Sequence, residues 1–141
     1  MEPSPDLTTL LLRAHRGLAA DLAASMAERG YGDVRAGHGA VFRYVDRRAG
    51  SRLGELAARA GMSKQSMMQV VDDLESRGYV ARVADPADSR ARLVRLTAEG
   101  RRCATEFGRV VRGLETRTRR RLGGRGDEAL REALAALADG I

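Results

Sequence analysis

The sequence predicts a mainly α-helical chain carrying one small β-hairpin, and three observations lead there. Apolar residues recur at spacings of three and four through most of the 141 residues. That rhythm gives way to aromatic and β-branched residues around an Asp-Pro turn in one place only, between residues 79 and 96. Glycines stand where several of the helical patterns end.

Residues 6–29 read as one long helix, because Leu7, Leu11, Ala14, Leu18, Leu22 and Met26 keep helical spacing with only Gly17 intervening. Gly30-Tyr31-Gly32 breaks it. A second helix is expected over residues 39–48, with Val41, Phe42, Tyr44 and Val45 as its apolar residues and Ala49-Gly50 as its stop. Leu53, Leu56, Ala57 and Ala60 mark a short third helix ending at Gly61, the residue best able to take a left-handed cap. Ser63 suits the N-cap of a fourth helix running to Arg77, in which Met67, Val70, Val71 and Leu74 form an i, i+3, i+4, i+7 stripe. A short helix, a glycine turn and an amphipathic helix are the sequence form of a helix-turn-helix.

Residues 79–83 suit a strand, 84–89 hold turn chemistry, and 90–96 return as a second strand. A hairpin in this place is a wing. Thr97 then caps a long helix over residues 98–121 whose stripe is Cys103, Phe107, Val110, Val111 and Leu114. Residues 123–126 (Gly-Gly-Arg-Gly) are expected to loop, and Asp127 to cap a last helix carrying Leu130, Ala133, Leu134 and Leu137.

Composition narrows the function classes. The length fits a single domain spanning residues 1–141. With 43% hydrophobic and 31% charged residues, the chain is neither disordered nor membrane-like, and no run approaches the ~18 apolar residues of a spanning helix. The acidic, proline-punctuated start is unlike a secretory signal, and a single cysteine fits a reducing cytoplasm. Two histidines and one cysteine far apart make no zinc motif, so neither metal nor cofactor is expected. No phosphate loop, nucleophile elbow or metal-spaced His-Glu pair supports an enzyme. The net charge of +6 points weakly to a polyanion. It is unevenly spread: residues 101–125 hold nine basic and two acidic residues, whereas 51–100 hold eight and seven.

The segment from Leu53-Gly54-Glu55-Leu56-Ala57-Ala58-Arg59-Ala60-Gly61-Met62-Ser63 through Val71-Asp72-Asp73-Leu74-Glu75-Ser76-Arg77-Gly78-Tyr79-Val80 resembles the winged helix-turn-helix of the multiple antibiotic resistance regulator (MarR) family. The sharpest part is Asp85-Pro86-Ala87-Asp88-Ser89-Arg90-Ala91-Arg92-Leu93-Val94-Arg95-Leu96-Thr97-Ala98-Glu99-Gly100, an acidic-Arg turn leading into Leu-Thr-x-x-Gly. The resemblance implies a winged helix-turn-helix at about residues 35–96, flanked by helices at about 6–29 and 98–139 that intertwine into a two-fold dimer. Leu7, Leu11, Phe107, Leu114, Leu130, Leu134 and Leu137 are the interface candidates. It also implies a cytoplasmic homodimeric transcription regulator, expected to be a repressor, that reads pseudo-palindromic double-stranded DNA and is relieved by a small molecule.

A recognition helix presents its N-terminal residues to base edges in the major groove. With the apolar stripe turned inward, Ser63, Lys64, Gln65, Ser66, Met68 and Gln69 face out. Gln pairs with adenine, Lys reaches guanine or phosphate, and Met contacts a thymine methyl. By resemblance, Arg90 reaches the minor groove and Asp88 holds its guanidinium. Ser89 stands where the family often has a second Arg, leaving Arg92 as the substitute. His15 and His38 are candidates for lining an effector pocket. Two alternatives stand beside this reading: a thiol redox switch at Cys103, and a DNA-compacting protein without sequence preference.

Overall fold

A computed structural model describes residues 1–140. Helix α1 spans Leu7–Glu28, capped by Asp6, whose carboxylate accepts from the Thr9 amide at 2.8 Å. A 3-10 turn at Ala36–His38 leads into a single-turn helix α2, Gly39–Phe42. Helices α3 (Leu53–Ala60) and α4 (Lys64–Ser76) form the helix-turn-helix, with Gly61 left-handed between them at φ 66°. Strands β1 (Val80–Asp85) and β2 (Asp88–Leu96) pair antiparallel with Val80 opposite Leu96, and α5 runs Ala98–Ala138.

The expected second helix is shorter than its apolar pattern. It stops after Phe42, and the chain at residues 46–51 is claimed by side chains instead. The Asp46 carboxylate accepts from the Arg48 and Ala49 amides, while Ser51 Oγ accepts from the Asp46 amide. These local bonds offer the backbone an alternative to helix. Ser51 then bridges Val94 through two backbone bonds, so the wing has a one-residue third edge.

The hairpin is also tighter than expected. Strand pairing continues to Asp85 and Asp88, leaving Pro86-Ala87 as the turn, with a register irregularity at Ala84/Asp85. The expected loop at residues 123–126 contracts to one residue. Only Gly123 leaves helical geometry (φ 75°, ψ 161°), and Gly124, Arg125 and Gly126 resume the helix. Asp127 is therefore not a cap. Its carboxylate accepts from Arg131 one turn on, and Arg131 also reaches Glu115 across the break.

One core serves the winged unit. Met67, Val71 and Leu74 of α4 are fully buried with Leu56 of α3, Val41 of α2, Val34 and Met26. Cys103 and Phe107 of α5 join them, and Phe42 stands 5.3 Å from the Phe107 ring and 6.3 Å from Tyr79. Gly100 fixes α5 against the root of β1, because a Cβ there would fall 1.8 Å from the Tyr79 carbonyl oxygen. No side chain larger than hydrogen fits.

Candidate nucleic-acid interface

Burial of Met67, Val71 and Leu74 decides which face of α4 is left open. Ser63, Lys64, Gln65, Ser66, Met68 and Gln69 are all exposed, so every residue of the expected reading set lies on that open face. Ser63 caps the helix by accepting from the Ser66 amide at 3.0 Å, and its hydroxyl donates to Ser66 Oγ at 2.9 Å. The Lys64 stem lies against Gly54 at the start of α3, where a Cβ would sit 3.1 Å from Cε. Apolar packing behind and capping at the front thus hold a polar row in fixed register.

The wing carries its arginines outward. Arg90 and Arg92 are exposed and make no ion pair among the described residues. The expected hold of Asp88 on the Arg90 guanidinium is corrected here: Asp88 Oδ1 accepts instead from the Arg90 backbone amide at 3.0 Å. An Asp two residues before an amide closes that local bond readily, and it fixes the strand's start rather than the guanidinium. The carboxylate–guanidinium pair of the wing is elsewhere. Arg52, at the N-cap of α3, donates to Asp85 Oδ2 at 2.9 Å through Nε and lies 2.7 Å from it through a second nitrogen. The Ala87 amide and then Arg52 hold the Asp85 carboxyl below the usual carboxylate range. Sequence reasoning missed Arg52 because its partner is 33 positions away, and only the Asp-Pro turn was visible locally. A second tie, Arg82 to Asp72 at 2.6 Å and to Glu75 at 2.7 Å, joins β1 to the back of α4.

The remaining candidates separate. His15 is exposed on α1. His38 is buried, with both ring nitrogens occupied by protein: Nδ1 accepts from the Arg35 amide at 2.9 Å, and Nε2 lies 2.5 Å from Asp73. A cleft of about 380 Å³ is lined by Phe42, Phe107 and Val111 together with Arg43, Arg47 and Arg112 and contains neither histidine, whereas His38 lines a separate groove of about 370 Å³ beside Ser66, Gln69 and Asp73. Cys103 is fully buried, and burial pushes its thiol up to about 12. A reactive thiolate needs the opposite surroundings, electropositive and accessible.

Leu7, Leu11, Leu130, Leu134 and Leu137 are exposed, at 56%, 37%, 43%, 40% and 37%, and Leu114 is half-buried. Phe107 leaves the interface set. It is 1% exposed within its own chain, under Phe42 and the Arg43 guanidinium 5.3 Å from its ring. Its place in the α5 stripe was right, but the covering partner is α2 rather than a second copy.

These features define a winged helix-turn-helix protein, with an open recognition-type helix beside a hairpin bearing unpaired arginines. Residues 33–91 match the family model for the MarR family. No curated protein matches the sequence. Among solved structures, the chain is similar to a probable transcriptional regulator from Pseudomonas aeruginosa, at 26% identity over 94% of this chain and 96% of that one, TM-score 0.78. It is similar to the transcriptional repressor CouR bound to a 23-mer DNA duplex, at 26% identity over 94% and 92% of the two chains, TM-score 0.76. CouR from Rhodococcus jostii RHA1 bound to p-coumaroyl-CoA matches at 25% identity over the same shares, TM-score 0.72. No helix among the described residues is long and apolar enough to cross a membrane.

Proposed function

We propose that this chain is a homodimeric, sequence-specific double-stranded DNA-binding repressor of the cytoplasm whose hold on DNA is relieved by a small molecule. The observation that carries the reading is the pairing of two open surfaces. A polar row, Lys64 to Gln69, lies on α4 over a buried apolar stripe, and Arg90 stands free near a two-residue wing turn. A helix N-terminus fits the major groove, and an unpaired Arg on a narrow hairpin fits the negative potential of the minor groove. The exposed leucines on α1 and the end of α5 favour a two-fold dimer, since large apolar side chains clustered on two helices are unfavourable in water. A dimer of such units reads half-sites with centres about 34–36 Å apart. The arginine-rimmed apolar cleft between α2 and α5 favours an effector with an apolar body and an anionic group.

Selection from a random duplex library tests this directly. The expected product is a pseudo-palindrome with that half-site spacing. Recovery of unrelated sequences, with affinity governed only by salt, marks the protein as a DNA compactor without sequence preference.

A further inference from the structure

The apolar stripe of α4 explains why the helix is buried but not how its reading face is aimed. Burial of Met67, Val71 and Leu74 sets which face of α4 points inward, but hydrophobic packing is non-directional and does not by itself fix the exact roll of the helix about its axis. Directional contacts on the helix flanks remove that freedom: Arg82 of β1 supplies them at Asp72 and Glu75, and a further one reaches the Asp73 flank from the turn before α2. His38, 6% exposed, closes the 3-10 turn just before α2. Its Nδ1 accepts from the Arg35 amide at 2.9 Å, so the proton of the neutral ring is on Nε2, directed at Asp73 Oδ2 2.5 Å away. A second tether runs beside it: Arg77 donates to Asp73 at 3.0 Å and approaches Asp33 at 3.7 Å. Arg77 and then His38 hold the Asp73 carboxyl below the usual range.

Asp73 lies seven residues beyond Ser66 and four beyond Gln69, so the three share one flank of the helix. The structure places all three in one groove with His38. We infer that His38 is a positioning residue, acting through Asp73 to set the roll of α4 and hence the angle at which Ser66 and Gln69 meet base edges. The inference rests on the DNA-reading role proposed above. It gives His38 a task in sequence discrimination that an effector-pocket residue would not have.

The test uses the full-length protein as His38→Phe, His38→Gln, Asp73→Leu and the Phe/Leu double variant. Each is titrated by fluorescence anisotropy against the duplex selected by the unaltered protein and against an unrelated duplex of equal length. His38→Phe is expected to weaken binding to the selected duplex about tenfold and to leave the unrelated duplex unchanged. His38→Gln, which keeps an acceptor and a donor, recovers most of that loss. The double variant is expected to lose no more than Asp73→Leu alone. Residual dipolar couplings of α4 amides measured without DNA should show the helix turned relative to α5 in His38→Phe. Losses that multiply in the double variant, a proportional loss on the unrelated duplex, or unmoved couplings overturn the assignment. If the unaltered protein selects no sequence, the regulator reading itself fails, and the couplings alone decide whether His38 sets the roll of α4.

Discussion

The winged unit and the outer helices solve the burial problem in opposite ways. Within the first, Leu56, Met67, Val71 and Leu74 are fully buried, and their partners all come from the same chain. On the second, Leu7, Leu10, Leu11, Leu12 and Leu18 of α1 and Leu122, Leu130, Leu134 and Leu137 of α5 remain more than a third exposed. Charge divides along similar lines: residues 51–100 are nearly balanced, and the basic excess lies on α5. The core of the winged unit is completed by Met26 of α1 and by Cys103 and Phe107 of α5, whereas the outward leucines of those same two helices stay exposed in the single chain.

The strongest way to break that contrast is Leu130→Asp with Leu134→Asp. Charged groups at a buried apolar interface are prohibitive, so sedimentation should show monomers at micromolar concentration while circular dichroism of the winged unit persists. Retained dimers would place the interface elsewhere. Next in size, Met67→Ala should cost ~2–5 kcal/mol of unfolding free energy in a denaturant titration, because its site is sealed and relaxes poorly. Arg90→Ala sharpens the comparison from the other side. A loss of roughly ten- to hundredfold in affinity for selected DNA is expected, with an unchanged thermal midpoint, since the side chain is exposed and unpaired. Smaller still, Gln69→Ala should relax the preference at one position of each half-site in a repeated library selection. The smallest effect concerns Cys103. With its thiol at about 12, iodoacetamide at pH 8 should leave the folded protein unmodified and peroxide should leave DNA binding unchanged; rapid alkylation would revive the redox alternative.

The sequence disclosed those parts of the molecule whose causes are local. Ser63 and Thr97 cap their helices as expected, the former accepting from the Ser66 amide and the latter from the Gly100 amide, each at 3.0 Å, and Gly61 is left-handed. The open face of α4 followed from the stripe opposite it. What stayed hidden depends on partners far away in the chain. Val41, Phe42, Tyr44 and Val45 suggest a longer helix, because nothing nearby shows Ser51 bridging Val94. Asp88 and Arg90 suggest an ion pair, while the real one joins Asp85 to Arg52. His38 reads as a pocket residue, and nothing near it in the chain shows that Asp73, 35 positions on, is bonded to its ring. Gly123 to Gly126 read as a loop, yet a single positive-φ residue suffices to redirect α5, and the glycines after it cost helix stability without ending the helix.

Gly100 makes the wing and the long helix one mechanical piece. With the Tyr79 carbonyl filling the space where a side chain would be, α5 cannot slide along the root of β1. From Gly100 to Gly123 the helix is a lever arm roughly 35 Å long, at 1.5 Å per residue. A 3 Å displacement at its far end therefore arrives at the hairpin as a swing of about 5°. A displacement at the Gly123 end of this arm thus arrives, scaled down but undiluted by slippage, at the root of β1, which pairs with the strand that carries Arg90.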